Sequence, residues 1–231
     1  MIADVASPNF DERPAGTPID MLVLHYTGMP SAAGALARLT DSAARVSAHW
    51  LIDEDGAVVR LVPEAMRAWH AGVSFWRGET DINARSIGIE LVNPGHEFGY
   101  RPFPQPQMAA LVELASDIVA RHPIPPRNVV GHSDVAPRRK MDPGELFDWP
   151  SMARAGVGLW PEESGEGIMD EAAVRRMLST IGYETDDLFA TLKAFQRHFR
   201  PARVTGRLDR ETARLARALA ERCAATSVSG A

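Results

Sequence analysis

The chain has 231 residues, 45% of them hydrophobic and 24% charged, with a formal net charge of −5. That balance fits a soluble globular protein of one domain, or of a larger and a smaller one, and it argues against a general nucleic-acid binder, which would carry a basic surface. The single cysteine, Cys223, excludes an internal disulfide and any Cys-x-x-Cys zinc site, and no run approaches the roughly 18 apolar residues of a transmembrane helix.

The opening segment, "MIADVASPNFDERPAGTPID", is acidic and broken by Pro8, Pro14 and Pro18. It lacks the basic start and apolar core of a signal peptide. The expected location is therefore cytoplasmic, with the periplasm or envelope as the alternative if a leader has been removed. "IDMLVLHYT" (Ile19 to Thr27) is short, apolar and bounded by Pro18 and Gly28, which predicts a buried strand. Alternation places Met21, Val23 and His25 on one face of it. "AAGALARLTD" predicts a short helix. "SAHWLIDEDGAVVRLV" predicts two strands joined at Glu54-Asp55-Gly56, because Asp-Gly is a strong hairpin signal. "SIGIELVN" (Ser86 to Asn93) is another strand, in which Glu90 shares a face with Gly88 and Val92. Burying that carboxylate would be costly unless it were paired. Glu90 is thus either a water-facing edge residue or an acid/base group with a perturbed pKa. "QPQMAALVELASDIVARH" carries the stripe Met108, Leu111, Val112, Ala115, Ile118, Val119, which predicts a helix. "RNVVGH" predicts a last short strand.

"GHSDVAPRRKMDPGELFDW" (Gly131 to Trp149) has neither helical nor strand periodicity. It holds His132, Lys140 and Asp142, and its closing Phe147 and Trp149 are expected to anchor the loop by burial. A Lys-x-Asp by itself is most simply a salt-bridged surface loop. Together, however, His25, His132 and Asp142 make a sufficient ligand set for Zn²⁺ with a fourth position open to water, and imidazole donors favour zinc over calcium or magnesium. His49 and His70 compete for such a role. His96, His122 and His198 show no partner pattern and are expected at the surface.

Glycine, proline and glutamate cluster in "WPSMARAGVGLWPEESGEG", which predicts a linker at 161–168. Three helical segments follow, roughly Asp170 to Ile181, Asp187 to Phe199 and Asp209 to Cys223, with no strand signal. The expected fold is α/β, a mixed central sheet flanked by helices (1–160), followed by a small three-helix domain (169–225) and a disordered tail (226–231).

Four stretches, "LVLHYTG", "VSAHWLIDEDGAVVRLVPEAMRAWHAG", "SIGIELVNPG" and "VVGHSDVAPRRKMDPGELFDW", occur in the order and spacing of the zinc-dependent N-acetylmuramoyl-L-alanine amidases. The chain from about Ile19 to Trp160 resembles that family, which shares its fold with phage amidase lysozymes and animal peptidoglycan recognition proteins. The resemblance is closest to the bacterial branch that trims or recycles muropeptides. It implies one zinc per chain on His25, His132 and Asp142, a catalytic Glu90, an assisting Lys140, and Arg45, Trp69 and Asn83 as cleft residues. Phage and animal relatives carry a cysteine at the position of Asp142 and a tyrosine near Ala48, so the tyrosine's role does not transfer and falls to Glu90. The implied reaction is hydrolysis of the amide between the lactyl group of N-acetylmuramic acid and L-alanine, with peptidoglycan or a muropeptide as partner. A non-catalytic recognition module is disfavoured because all three ligand positions are filled. A zinc peptidase cutting the stem peptide would be told apart by its products. The helical segment resembles the three-helix peptidoglycan-binding domain through Gly182-Tyr183, Phe195-Gln196, Gly206 and Thr212.

Overall fold

The computed structural model describes residues 2–161, 167 and 169–228. In chain order the elements are β1 (Ile2–Asp4), β2 (Phe10–Glu12), β3 (Met21–Tyr26), α1 (Ala32–Thr40), β4 (Trp50–Ile52), β5 (Val58–Arg60), β6 (Met66–Ala68), α2 (Ile82–Arg85), β7 (Ser86–Leu91), α3 (Gly95–Phe98), α4 (Gln105–Arg121), β8 (Val129–Gly131), α5 (His132–Val135), α6 (Trp149–Arg154), α7 (Glu171–Ile181), α8 (Leu188–Phe199) and α9 (Arg210–Val228). The fold is the expected mixed α/β arrangement. Six strands form one sheet in the order β1-β5-β4-β7-β3-β8, and β2 pairs with β6 apart from it. The predicted hairpin is β4–β5, antiparallel, with Gly56 at φ 88° in its turn. β4, β7, β3 and β8 run parallel to one another, so both faces of this part of the sheet must be covered.

Alternation along β3 and β7 sorts the core. Leu22, Leu24, Ile87, Ile89 and Leu91 face one side with Val129. There Leu111, Leu114, Ala115 and Ile118 of α4 close over them, joined by Phe147, Trp149 and Met152. Met21, Val23 and Val130 face the other side. They share a single core with Trp76, Ile82 and Val135, and with Val174, Leu178, Ile181, Tyr183, Phe195 and Leu219 of the helical segment. The helices at the C-terminal end thus serve as the cover of the sheet's second face. Asp170 and Asp187 cap α7 and α8, their carboxylates accepting backbone N–H groups of the first turn, and Asp209 accepts from the Thr212 amide at 2.9 Å.

Several features depart from expectation. β1 and β2 arise from the proline-broken N-terminal segment, where no strand was predicted. Each is only three residues long, too short for alternation to register, and each is held by a partner, β5 or β6, that lies far away in sequence. Gln107, a polar gap in the predicted stripe of α4, is fully buried because its amide donates to the Ile52 and Val92 carbonyls at 2.9 and 3.0 Å. α9 runs to Val228, so the first residues of the expected tail are helical. The rest of that tail (229–231), and 162–166 and 168 of the expected linker, lie outside the described residues.

Candidate active site

The sheet register assembles the site. His25 sits beside Glu90 across the β3–β7 pair, and Leu24 sits beside Gly131 across β3–β8, so His132 begins α5 level with His25. All of them emerge at the carboxyl ends of neighbouring parallel strands, where open α/β sheets bind ligands. Asp142 arrives from the following loop, which is tied back by the Ser133 amide donating to the Asp142 carbonyl at 2.8 Å. As expected, Phe147 and Trp149 are buried and anchor that loop's exit. The Tyr100 hydroxyl further pins the loop by donating to the Pro143 carbonyl at 2.7 Å and accepting from the Leu146 amide at 2.9 Å.

His25, His132 and Asp142 are 1%, 4% and 6% exposed. His25 Nδ1 lies 2.9 Å from His132 Nδ1, and Asp142 Oδ2 lies 3.0 Å from each. Three donors around a tetrahedral zinc at about 2.0–2.1 Å would stand roughly 3.3 Å apart, so the set needs to open by only a few tenths of an ångström to accept the ion. Among the described residues this group could hold a metal.

Second hydrogen bonds orient the two rings for that purpose. The Ser86 hydroxyl donates to the Ile82 carbonyl at 2.6 Å. Its oxygen is then the acceptor for His70 Nε2–H at 3.1 Å, and His70 Nδ1 accepts from His25 Nε2–H at 3.0 Å. His132 Nε2–H donates to the Ala71 carbonyl at 3.0 Å. Both histidines are thereby left with Nδ1 free to bind a metal. The relay depends on a bare position in β7, because a Cβ on Gly88 would lie 2.5 Å from His70 Cγ. The 70–71 backbone is fixed in turn by Asn83, whose Oδ1 accepts from the His70 and Ala71 amides at 3.1 and 2.8 Å.

Electrostatics follow from burial. Burial, followed by the neighbouring His132, pushes His25 down to about 4, so its imidazole is neutral and available as a ligand. Burial alone would raise Asp142, but His132 and His25 overcome it and hold the carboxyl far below the usual range. Glu90 goes the other way. Burial and then the Asp142 charge raise it well above an ordinary glutamate, against a smaller opposing pull from Lys140. Glu90 Oε2 is buried without a hydrogen-bond partner in the protein.

Glu90, His132, Lys140 and Asp142 line one cavity of about 370 Å³, together with Tyr26 and Met141. That volume suits a small ligand. Glu90 is not an edge residue in water. β7 lies inside the sheet between β4 and β3. Arg45 is stacked over Trp69, its guanidinium 5.6 Å from the ring centroid, and the lining of the cavity does not include this pair or Asn83. His198 corrects the sequence reading. It is not at the surface but 3% exposed, held by Asp134 at 2.7 Å. The Ser86 hydroxyl, Asp134 and the Arg139 guanidinium that grips the Ala71 and Val73 carbonyls carried no signal in the sequence pattern. His70 did so only as a competing ligand.

An open two-histidine, one-carboxylate set beside a second carboxylate and a lysine is chemically capable of metal-assisted hydrolysis. Residues 15–145 match the family described as N-acetylmuramoyl-L-alanine amidase. The N-acetylmuramoyl-L-alanine amidase AmiD of Escherichia coli is 39% identical, over 88% of this chain and 83% of its own length. The structure of AmiD with anhydro-N-acetylmuramic acid-L-Ala-D-gamma-Glu-L-Lys superposes with a TM-score of 0.81, at 37% identity, covering 93% of this chain and 98% of that one. AmpDh3 from Pseudomonas aeruginosa, in complex with an anhydromuramic pentapeptide, gives 0.83 at 36% identity, covering 90% and 94%. The 1,6-anhydro-N-acetylmuramyl-L-alanine amidase AmpD of Haemophilus influenzae is 36% identical over 63% of this chain and 86% of its own length. The chain belongs to the N-acetylmuramoyl-L-alanine amidase family.

Proposed function

We propose that the chain hydrolyses the amide between the lactyl group of N-acetylmuramic acid and L-alanine in peptidoglycan fragments, in cell-wall turnover or recycling. The observation that carries this reading is the convergence of His25 Nδ1, His132 Nδ1 and Asp142 Oδ2 within 4.8 Å of one another, two of these residues, His132 and Asp142, lining one cavity with Glu90 and Lys140. The complexes of AmiD and AmpDh3 with anhydro-muropeptides support the substrate class. One zinc ion held by His25, His132 and Asp142 would supply Lewis-acid polarisation and a more acidic water. The protein's own groups do the rest. Glu90, whose Oε2 has no partner in the protein, accepts the proton of the attacking water and returns it to the leaving amine. Lys140 places its charge where the carbonyl oxygen becomes negative.

Arg45, stacked on Trp69, is assigned to the outer part of the cleft. Asn83 shapes its wall through the His70–Ala71 backbone. Residues 1–160 form the amidase domain and 169–225 a helical domain of peptidoglycan-binding type. No helix of the described residues is long and apolar enough to cross a membrane, and the cytoplasm is the proposed compartment. The test is mass spectrometry of the products from a defined muropeptide, with and without chelator. Release of the muramyl sugar with an intact peptide, abolished by chelation and restored by zinc, is expected. A shortened peptide would mean a peptidase instead.

A further inference from the structure

The loop that delivers both His132 and Asp142 is gripped from behind by residues far outside it in sequence. Asp134 lies two positions after His132 and is 1% exposed. Its carboxylate accepts three hydrogen bonds. One comes from the Gly131 amide at 2.7 Å, immediately before His132. The other two come from the helical segment, from the Tyr183 hydroxyl at 2.6 Å and from His198 Nδ1–H at 2.7 Å. His198 also stacks face to face on Trp149, with ring centroids 3.7 Å apart, and Trp149 is the residue that closes the loop. One side chain of α8 therefore holds both ends of the segment carrying two of the three donor atoms. A carboxylate that is not a ligand, buried and held by three donors, is costly to place unless all three are kept. The ligand loop and the helical segment are accordingly committed to one relative position.

We propose that Tyr183, His198 and Asp134 are positioning residues of the metal site: they clamp the 131–149 loop so that His132 and Asp142 stand at ligand distance before the ion arrives. The helical segment is then part of the site's construction, apart from any contact it makes with substrate. This inference rests on the reading of His132 and Asp142 as ligands. A loop preset in this way loses less freedom on binding the ion, so removing the clamp weakens metal affinity although no ligand has been touched.

The experiment measures zinc affinity by chelator competition on the full chain. It compares wild type, Tyr183→Phe, Asp134→Asn, His132→Ala and a core control, Leu178→Ala. Tyr183→Phe keeps the ring against Trp76 and Phe195, whose centroids lie at 5.0 and 6.0 Å, and removes only the hydroxyl. Zinc Kd is expected to rise about tenfold or more in Tyr183→Phe and Asp134→Asn, with faster hydrogen exchange at the Gly131 amide. Excess zinc should restore kcat in Tyr183→Phe. Leu178→Ala should lower Tm and leave Kd unchanged. Unchanged Kd and Gly131 exchange in folded Tyr183→Phe and Asp134→Asn, with zinc lost from His132→Ala, would overturn the clamp alone. Zinc held at wild-type affinity by His132→Ala would overturn the ligand reading beneath it. A Kd raised equally in Leu178→Ala would reduce the effect to general stability and overturn the clamp as well.

Discussion

The two faces of strands β3 and β7 differ although the same two six-residue strands make both. One face carries Leu22, Leu24, Ile87, Ile89 and Leu91, with Tyr26 at its end, and is sealed by α4. The other begins apolar at Met21 and Val23 under the helical segment and ends in the His25–Glu90 pair. The first face is stabilised by area removed from water, about 25 cal/mol per Å². The second holds buried imidazoles and carboxylates, and it tolerates them because partners take up their polar atoms, from the Ser86–His70–His25 relay to the Ala71 carbonyl. Glu90 Oε2 stands outside that scheme. The first face is closed by apolar packing under α4; on the second, a buried carboxylate oxygen of Glu90 stands beside the imidazoles without a partner in the protein.

The sharpest way to break this comparison is to remove a donor from the polar face. His25→Ala is expected to release the zinc and abolish amidase activity while the protein stays folded, checked by metal analysis and circular dichroism. Glu90→Gln should keep the zinc and lose about 10²–10⁴-fold in kcat, the usual contribution of a general base. Near wild-type turnover in that variant would assign the base elsewhere. Lys140→Ala should lower kcat by a smaller factor, with KM little changed.

On the apolar face the expectation reverses. Leu24→Ala should cost about 2–5 kcal/mol of stability by cavity formation, read from urea midpoints, and leave kcat and zinc affinity close to wild type wherever the protein remains folded. A large loss of zinc affinity there would mean that the two faces are not energetically separate.

Acid offers a gentler test. Burial, and then the Arg13 cation, push His49 down to about 3, and its Nδ1 accepts from the Gly88 amide at 2.9 Å, so the folded chain holds this ring neutral. The unfolded chain binds a proton near pH 6.5. Between pH 6.5 and about 3 the unfolded state therefore carries more protons, and stability falls as pH falls through that window. In chelator-treated protein His49 alone should account for roughly 1.6 kcal/mol between pH 6.5 and 5. His49→Gln should show a visibly shallower loss. A flat profile in wild type would contradict a neutral His49. The smallest expected effect is that of Ser86→Ala, which ends the relay without touching a ligand. A several-fold weaker zinc affinity, beyond the modest fall in Tm expected when His70 Nε2–H and the Ile82 carbonyl lose a buried partner, would place its role in orienting His25.

The sequence carried β3, β7 and the β4–β5 hairpin, because a short apolar run between Pro18 and Gly28, the run "SIGIELVN" and an Asp-Gly turn are local properties of the chain. It carried the helix starts at Asp170, Asp187 and Asp209, where a short acceptor side chain satisfies free N–H groups of its own first turn. The four motifs carried the family, through order and spacing, and with it the expectation that His25, His132 and Asp142 hold a metal beside Glu90 and Lys140. Only the tertiary structure decided the partners. A period says which side of an element is apolar, but not what lies across from it. Asp134 meets Tyr183 and His198 from 49 and 64 positions away, so nothing local distinguishes a buried, doubly anchored His198 from a surface histidine. The same holds for Ser86, a hydroxyl whose role exists only because β7 sets it beside His70, and for the helical segment. Its apolar stripes would have suited a free-standing bundle, yet they share their core with Met21, Val23 and Val130 of the sheet. Burial of polar groups is favourable only when donors and acceptors meet at about 3 Å, and that meeting is set by the packing of distant segments rather than by the order of residues.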